Sequence, residues 1–380
     1  MSVKRVLISL GHPAHYQLFK NVIKNLNESK IETLIVIRKK DILENLLADS
    51  GLFFYNIFPD ERKIGIIRMI WSLLVRDFRL YRFCLKSKPD LMIGSTVEIT
   101  HVGKLLNIPA ISVGEDDYDV VPLIAKMAAP FSNCIVAPEV CQLGKWERKA
   151  IKYKGYQELA YLHPNHFKPD ISVAKKYFDV GKPYFILRFA KLTAHHDKGI
   201  KGINSRIAHN IISLLEPYGN IYITSERELE PQLEKYRLNI NPLDIHHVMA
   251  FAQMYIGDSQ TMAAEAGVLG VPFVRFNDFV GRISYLKELE EHYLLGYGIK
   301  PDNETGLYEA IDKILKIKYR KSIYESRRLK MLEDKIDLAQ FYTWFIKEFP
   351  ESKEIMKENS DFQKKFNLKN ESFNRRNIKL

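Results

Sequence analysis

Ser259, Gln260 and Thr261 follow an apolar run, residues 253–257, and open a stretch of small residues in which Glu265 stands one helical turn past Thr261. A parallel strand ending in Gly257-Asp258-Ser259 puts polar groups at the carboxyl edge of its sheet, where open α/β folds bind ligands. The leading N–H groups and the dipole of the next helix suit a phosphate or diphosphate. Glu265 faces the same mouth, and a carboxylate there can accept two hydrogen bonds from a ribose diol. Ala263, Ala264, Ala266 and Gly267 let this helix approach the sheet closely. The plainer reading is that Ser259 caps the helix and Glu265 only favours its dipole. The edge position favours a ligand.

Other polar constellations sit where strands end. "GHPAHYQLFK" leaves the first apolar run with His12 and His15. A histidine titrating near neutrality can act as general base on a hydroxyl or hold a phosphate. The plainer alternative has one of the two capping the helix, and His15 is the one read as functional. "VGEDDYDVV" crowds Glu115, Asp116, Asp117 and Asp119 after another strand-like run. Clustered carboxylates can serve as a base or bind a metal, and a solvated acidic turn is the plain alternative. "RFAKLTAHHDKG" gathers Arg188, Lys191, His195 and His196 after residues 184–189. Its HHD is a weak metal fragment, because adjacent histidines rarely both ligate.

The elements needed to position these groups are strands alternating with helices. Runs 3–10, 32–37, 91–94, 110–113 and 134–137 read as strands of a first half, and 184–189, 220–224, 253–257 and 272–276 as those of a second. That alternation predicts parallel sheets with helices on both faces. We expect an N-terminal Rossmann-like domain over 1–165 and a C-terminal one over 166–335. A returning helix covers 336–350, and a polar, weakly ordered tail covers 351–380. The unperiodic "YLHPNHFKPD", residues 161–170, reads as the linker.

Residues 62–88 stand apart. Ile67, Ile70, Leu74, Phe78 and Tyr81 share a helical stripe beside Arg68, Arg76, Arg79, Arg82 and Lys86. Such a helix can lie on an anionic membrane surface, or pack on the sheet with a solvated basic face. The net charge of +11 fits nucleic acid, an acidic membrane or a phosphorylated substrate. No nucleic-acid motif is present, so no nucleic-acid partner is expected. Cys84, Cys134 and Cys141 are widely spaced and lack a CxxC pair. They read as reduced thiols of a cytoplasmic protein. No window is long and apolar enough for a membrane span or a signal-peptide core.

"GDSQTMAAEAGVLGVPFVRF" resembles the nucleotide-sugar site of GT-B glycosyltransferases and of non-hydrolysing UDP-N-acetylglucosamine 2-epimerases. Together with "GHPAHYQLF", "KGYQELAYLHP", "RFAKLTAHHDKGIKG", "YITSERELEPQLEKYR" and "IHHVMAFAQ", it resembles the family called domain of unknown function 354 over roughly residues 4–350. That resemblance implies a GT-B-like α/β fold, two doubly wound Rossmann-like domains facing a cleft, with a C-terminal helix crossing back to the first. It implies a part in surface polysaccharide assembly, such as capsule or O-antigen. Carried onto this chain, it makes Glu265 the ribose ligand and Ser259, Gln260 and Thr261 the diphosphate cradle. Arg188 and Lys191 would neutralise the diphosphate, His195 would donate to it, and His246 would sit near the base. His15 resembles the loop histidine of the N-acetylglucosaminyl transferase of peptidoglycan synthesis. The resemblance implies no tightly bound metal or cofactor, which leaves Glu115, Asp116 and Asp117 as base or acceptor-orienting groups.

Three functions are therefore open. The first is a glycosyltransferase moving a sugar from a nucleotide-sugar, a UDP-sugar, to a lipid-linked or glycan acceptor, peripheral at the inner membrane face. The second is a sugar-nucleotide 2-epimerase, which the chain fits less well because it lacks an "HxEAGLR"-like run near Val113 and an "HRREN"-like run near His195. The third is a non-catalytic binder that uses the positive charge, against which the polar strand ends argue.

Overall fold

Two parallel sheets organise the chain, in two compact units. The structure is a computed structural model that describes residues 3–38, 43–58, 66–190 and 202–368. Unit 1 holds the chain through His166 and again from Glu333 onward, and unit 2 holds Phe167–Leu332.

The strands of unit 1 are β1 (Arg5–Leu10), β2 (Glu32–Arg38), β3 (Tyr55–Phe58), β4 (Leu91–Gly94), β5 (Ala110–Val113), β6 (Cys134–Pro138) and β7 (Ala150–Tyr153). They lie in the order β3-β2-β1-β4-β5-β6-β7. Strand order reverses between β1 and β4, so the carboxyl ends of those two strands frame the switch point where doubly wound sheets take ligands. Ser9 and Thr96 join across it, hydroxyl to hydroxyl, at 2.8 Å. Leu7, Val36, Met92, Ile99 and Val102 are core residues on one side of this sheet.

Unit 2 contains β8 (Tyr184–Phe189), β9 (Asn220–Ser225), β10 (Met254–Gly257), β11 (Phe273–Phe276) and β12 (Gly296–Ile299). Their order is β12-β11-β10-β8-β9, which places the switch point between β8 and β10. Leu187, Ile256 and Val274 pack with Ile207 and Ile211 of the helix Ser205–Leu215 and Ile311 of the helix Glu304–Leu315.

The helix Leu338–Lys347 returns to unit 1 and buries Phe341, Tyr342 and Phe345. Its N-cap, Asp337, accepts from Asn165 and His166 at 2.8 and 2.7 Å. The supposed linker 161–170 is therefore divided. Its first six residues belong to unit 1, with His163 fully buried.

Of the expected weakly ordered tail, residues 351–368 are regularly folded instead, and 369–380 lie outside the described residues. The chain forms the helix Glu351–Glu358 and a 3-10 turn, Ser360–Phe366. Phe362 and Phe366 lie 4.8 and 5.6 Å from the Trp344 ring, centre to centre. Gln363, buried among polar neighbours, accepts from the Lys154 amide at 2.6 Å and donates to the Lys152 carbonyl. It thus covers the edge of β7, which would otherwise present unpaired backbone groups.

The helix Ile66–Ser87 packs on the sheet through a different face from the stripe read in the sequence. It buries Leu73, Leu80 and Cys84, while Ile70, Leu74 and Phe78 of the expected stripe stay exposed together with Trp71 and Leu85. The helix carries two apolar faces, and periodicity alone does not say which one the sheet takes. Among the described residues, no helix is long and apolar enough to cross a membrane.

Gln363→Ala leaves the Lys154 amide without its acceptor. We expect a loss of about 1–3 kcal/mol in stability and faster hydrogen exchange at Lys154. Unchanged exchange there would show that Gln363 does not cover the strand edge.

Candidate functional site

In unit 2, β8 and β10 run side by side with Arg188 opposite Gly257. The strands approach so closely that a Cβ on Gly257 would lie 2.9 Å from the Arg188 carbonyl oxygen and 2.5 Å from the Tyr255 hydroxyl. Only glycine fits. The next residue, Asp258, is 1% exposed. Its carboxylate accepts from the Ala190 amide at 2.6 Å and the Ile203 amide at 3.3 Å, and Arg227 lies 3.8 Å away. Burial pushes this carboxyl up to about 6, against the pull of those N–H groups and of Arg227. Asn277 donates to the Asp258 carbonyl at 3.0 Å. The turn that starts the following helix is thereby fixed on three sides.

Ser259 is extended, and its hydroxyl accepts from the Met262 amide at 3.4 Å. The capping reading of Ser259 is thus realised. The helix Gln260–Val268 leaves the amides of Gln260 and Thr261 without partners inside their own helix. Those amides and the dipole are of the kind that can take an anion, and they lie at the switch point. Glu265, on the same helix, is buried and meets His246 of the helix Ile245–Met249, with Nε2 to Oε1 at 2.9 Å. Phe167 sets an edge against the His246 ring and lies closer, at 4.7 Å and tilted by 49°, to the His247 ring. The structure thus gathers Ser259, Gln260, Thr261, Glu265 and His246 in one corner of unit 2. Arg188 stands at the end of β8 with its guanidinium on Glu226. Lys191, His195 and His196 lie outside the described residues.

In unit 1 the two loop histidines have different tasks. His12 is the N-cap of the helix Pro13–Glu28, its Nδ1 accepting from the Ala14 amide at 3.1 Å. His15 does not begin this helix but is its third residue, and its Nδ1 accepts from the Gly11 amide at 3.1 Å. A neutral imidazole that accepts at Nδ1 carries its proton on Nε2, so His15 offers a donor.

The acidic run after β5 is likewise divided. Asp117 is buried and accepts from the Gln142 amide at 2.7 Å, which fastens two loops together. Glu115 is half-buried at the strand end and accepts from the Gln157 amide at 2.7 Å. Burial pushes its carboxyl up to about 8; the Gln157 amide opposes this and the charge of Asp116 adds to it. A carboxyl in that range can take up a proton near neutral pH. Sequence reasoning assigned no role to Asp258. Its only signal was an acid directly after a strand-end glycine.

The chain belongs to the family described as Protein of unknown function (DUF354), whose model matches residues 4–289. No curated protein matches the sequence. Among solved structures, the chain is similar to the UDP co-structure of S. aureus MnaA, with a TM-score of 0.64 and 14% identity over 92% of this chain and 97% of that one. It is also similar to the spinosyn forosaminyltransferase SpnP, with a TM-score of 0.61 and 14% identity over 93% and 99%. A third is UDP-GlcNAc 2-epimerase from Neisseria meningitidis bound to UDP-GlcNAc, with a TM-score of 0.58 and 14% identity over 86% and 99%. At such identities the likeness establishes a GT-B-like fold.

Asp258→Asn puts an NH2 group where one of two backbone amides needs an acceptor. We expect a loss of about 1–3 kcal/mol at neutral pH. The folded-state pKa of Asp258 is raised, so its contribution is fullest below about pH 4 and declines as pH rises through about 6. The stability difference between wild type and Asp258→Asn should therefore narrow over that window. A difference that stays flat with pH would contradict this assignment.

Proposed function

We propose that this protein is a glycosyltransferase that moves a sugar from a UDP-sugar to a lipid-linked or glycan acceptor. The observation that carries the reading is the corner of unit 2 at the β8/β10 switch point. There a helix N-terminus meets the needs of a diphosphate, and a buried glutamate on the same helix meets those of a ribose. The diphosphate rests on the amides of Gln260 and Thr261 and the hydroxyl of Ser259. Glu265, held by His246, accepts from the ribose hydroxyls. Arg188 adds positive charge as the sugar leaves, which is the main electrostatic demand of the step. In unit 1, Glu115 takes the acceptor proton and His15 donates to an oxygen of the acceptor. Solved relatives of the same fold include both transferases and epimerases. The chain lacks the histidine and glutamate runs that the epimerase reading needs, which favours transfer.

The acceptor reading draws on the helix Ile66–Ser87. Its outward stripe of Ile70, Trp71, Leu74, Phe78 and Leu85 is flanked along the helix by Arg79, Arg82 and Lys86. Apolar side chains beside a row of cations suit an anionic membrane surface. We infer that the enzyme works at the inner face of the cytoplasmic membrane on a lipid-linked acceptor.

Titration calorimetry with UDP tests the donor site. Wild type should bind, and Glu265→Ala should bind at least tenfold more weakly, about 1.4 kcal/mol, while His246→Gln binds with an intermediate loss. Equal affinity in folded wild type and Glu265→Ala would remove the ribose assignment. For the membrane, co-sedimentation with vesicles containing phosphatidylglycerol should be lost in a Trp71→Ser, Phe78→Ser variant and weaken with salt. The two side chains are exposed, so the variant's melting temperature should not fall. Binding that survives both changes would show that this face is not the membrane contact.

A further inference from the structure

Three helices of unit 1 meet at one side chain. His101 lies on the helix Val97–Leu106, which packs against both the helix Ile66–Ser87 and the helix Pro122–Ala128. Its Nδ1 is 2.9 Å from an Asp77 carboxylate oxygen, and its Nε2 is 3.1 Å from the Met127 carbonyl oxygen. A carbonyl oxygen only accepts, and so does an ionised carboxylate. A neutral imidazole has one N–H and one lone pair, so either tautomer sets a lone pair against one of these oxygens. Only the imidazolium donates to both. Phe131 stands perpendicular to the imidazole, ring centres 5.1 Å apart.

The surroundings favour the charged form. The helix Ile66–Ser87 supplies Asp77, and the imidazole's own helix supplies Glu98, one turn back and ion-paired with Arg76. The helix Pro122–Ala128 supplies the Met127 carbonyl, one of its last, where the helix dipole also favours a cation. Lys126, the titratable neighbour of Met127, is exposed. The bond to Asp77 lifts the imidazole above its ordinary range, burial opposes this, and the Met127 carbonyl and Glu98 add to the rise. A group raised on folding contributes fully below its unfolded value, about 6.5 for histidine. The contribution is lost as pH climbs through the folded value.

The helix Pro122–Ala128 depends on such a tie. It buries Ala125 and Ala128, two small side chains, while Leu123 and Ile124 are exposed. The chain just past it is held by a second cation. Lys149 Nζ donates to the carbonyls of Ala129, Pro130 and Ser132 at 2.9, 2.8 and 2.8 Å. Of the two cations, His101 is the one that also reaches the helix Ile66–Ser87. Its two partners adjoin exposed apolar groups: Phe78 follows Asp77, and Ile124 lies one turn before Met127.

We propose that His101 is a proton-operated joint that ties the helix Pro122–Ala128 to the helix Ile66–Ser87 and so holds Leu123, Ile124 and Lys126 in one anionic-membrane surface with Ile70, Trp71, Leu74 and Phe78. The inference rests on the membrane reading of the helix Ile66–Ser87 and names its regulation. As pH rises, the imidazolium gives its Nε2 proton to water. Nδ1 keeps the bond to Asp77, Nε2 turns a lone pair toward the Met127 carbonyl, and the helix Pro122–Ala128 is released. The negative surface of a bilayer gathers cations, protons among them, so docking itself favours the closed joint. Attachment is therefore stronger on the acid side of the His101 titration.

Nitrogen NMR of the imidazole rings in the purified full chain, without lipid, is the first test. The signal missing from His101→Gln identifies His101 among the eleven histidines. Both of its nitrogens should be protonated at about pH 6.5, and its titration should move down in Asp77→Asn. A neutral ring at that pH, or a titration that Asp77→Asn leaves unmoved, overturns the proposal. Amide hydrogen exchange over residues 122–131, taken relative to the intrinsic rate, should quicken as pH rises through that titration. His101→Gln cannot titrate, so the same step in that variant would also overturn it. Co-sedimentation with phosphatidylglycerol vesicles should weaken about fivefold across the titration, the effect of about one positive charge at an anionic surface. The step should be absent in His101→Gln, and wild-type binding that is equal on both sides of the titration would overturn the proposal. A titrating His101 with its exchange step, in a protein that binds vesicles at no pH, would refute the membrane reading and leave the joint standing. A melting temperature for each variant establishes that it is folded.

Discussion

A buried carboxylate is tolerated only where hydrogen bonds replace its water, and Asp258 imposes that constraint on the whole corner of unit 2 around it. Its two oxygens need the amides of Ala190 and Ile203, which lie beyond β8 and before the helix Ser205–Leu215. Its carbonyl needs Asn277 from beyond β11. Gly257 must be glycine so that β10 can come close enough to β8 for the first of these bonds. Once they form, the start of the helix Gln260–Val268 has one position. The amides of Gln260 and Thr261, the cap at Ser259 and the Glu265–His246 pair take their places from it.

The same physics recurs in unit 1 with a different outcome. There the carboxylates after β5 are also drawn inward. Asp117 is satisfied by a backbone amide and fastens a loop. Glu115 is met by the Gln157 amide, and burial holds its carboxyl up at about 8. We propose that one unit uses buried charge to fix a seat for an anion, and the other to hold a group that exchanges protons. That division matches what sugar transfer asks of a protein: stabilise a departing diphosphate and relieve an incoming hydroxyl of its proton.

Strands whose residues are almost all apolar and buried were legible to within a residue or two, as with β4, β5 and β8. β3, β7 and β12 were not. They are edge strands with only part of their residues buried, and "GYGI" in β12 contains two glycines that disfavour a strand on their own. The capped helix start at Ser259 could be read because its residues lie close together along one helix. The Glu265–His246 pair spans 19 residues of chain, and tertiary packing alone brings it together. Residues 351–368 misled because their polar composition masks Phe362 and Phe366, which pack on Trp344, and Gln363, which covers β7.

The central claim is that the helix at Gln260 holds a nucleoside diphosphate with its ribose on Glu265. A crystal structure of the protein with UDP tests it most directly. We predict the diphosphate against the amides of Gln260 and Thr261, and both ribose hydroxyls within hydrogen-bond reach of a Glu265 still backed by His246. A nucleotide bound elsewhere, with Glu265 touching nothing but His246, would contradict the claim.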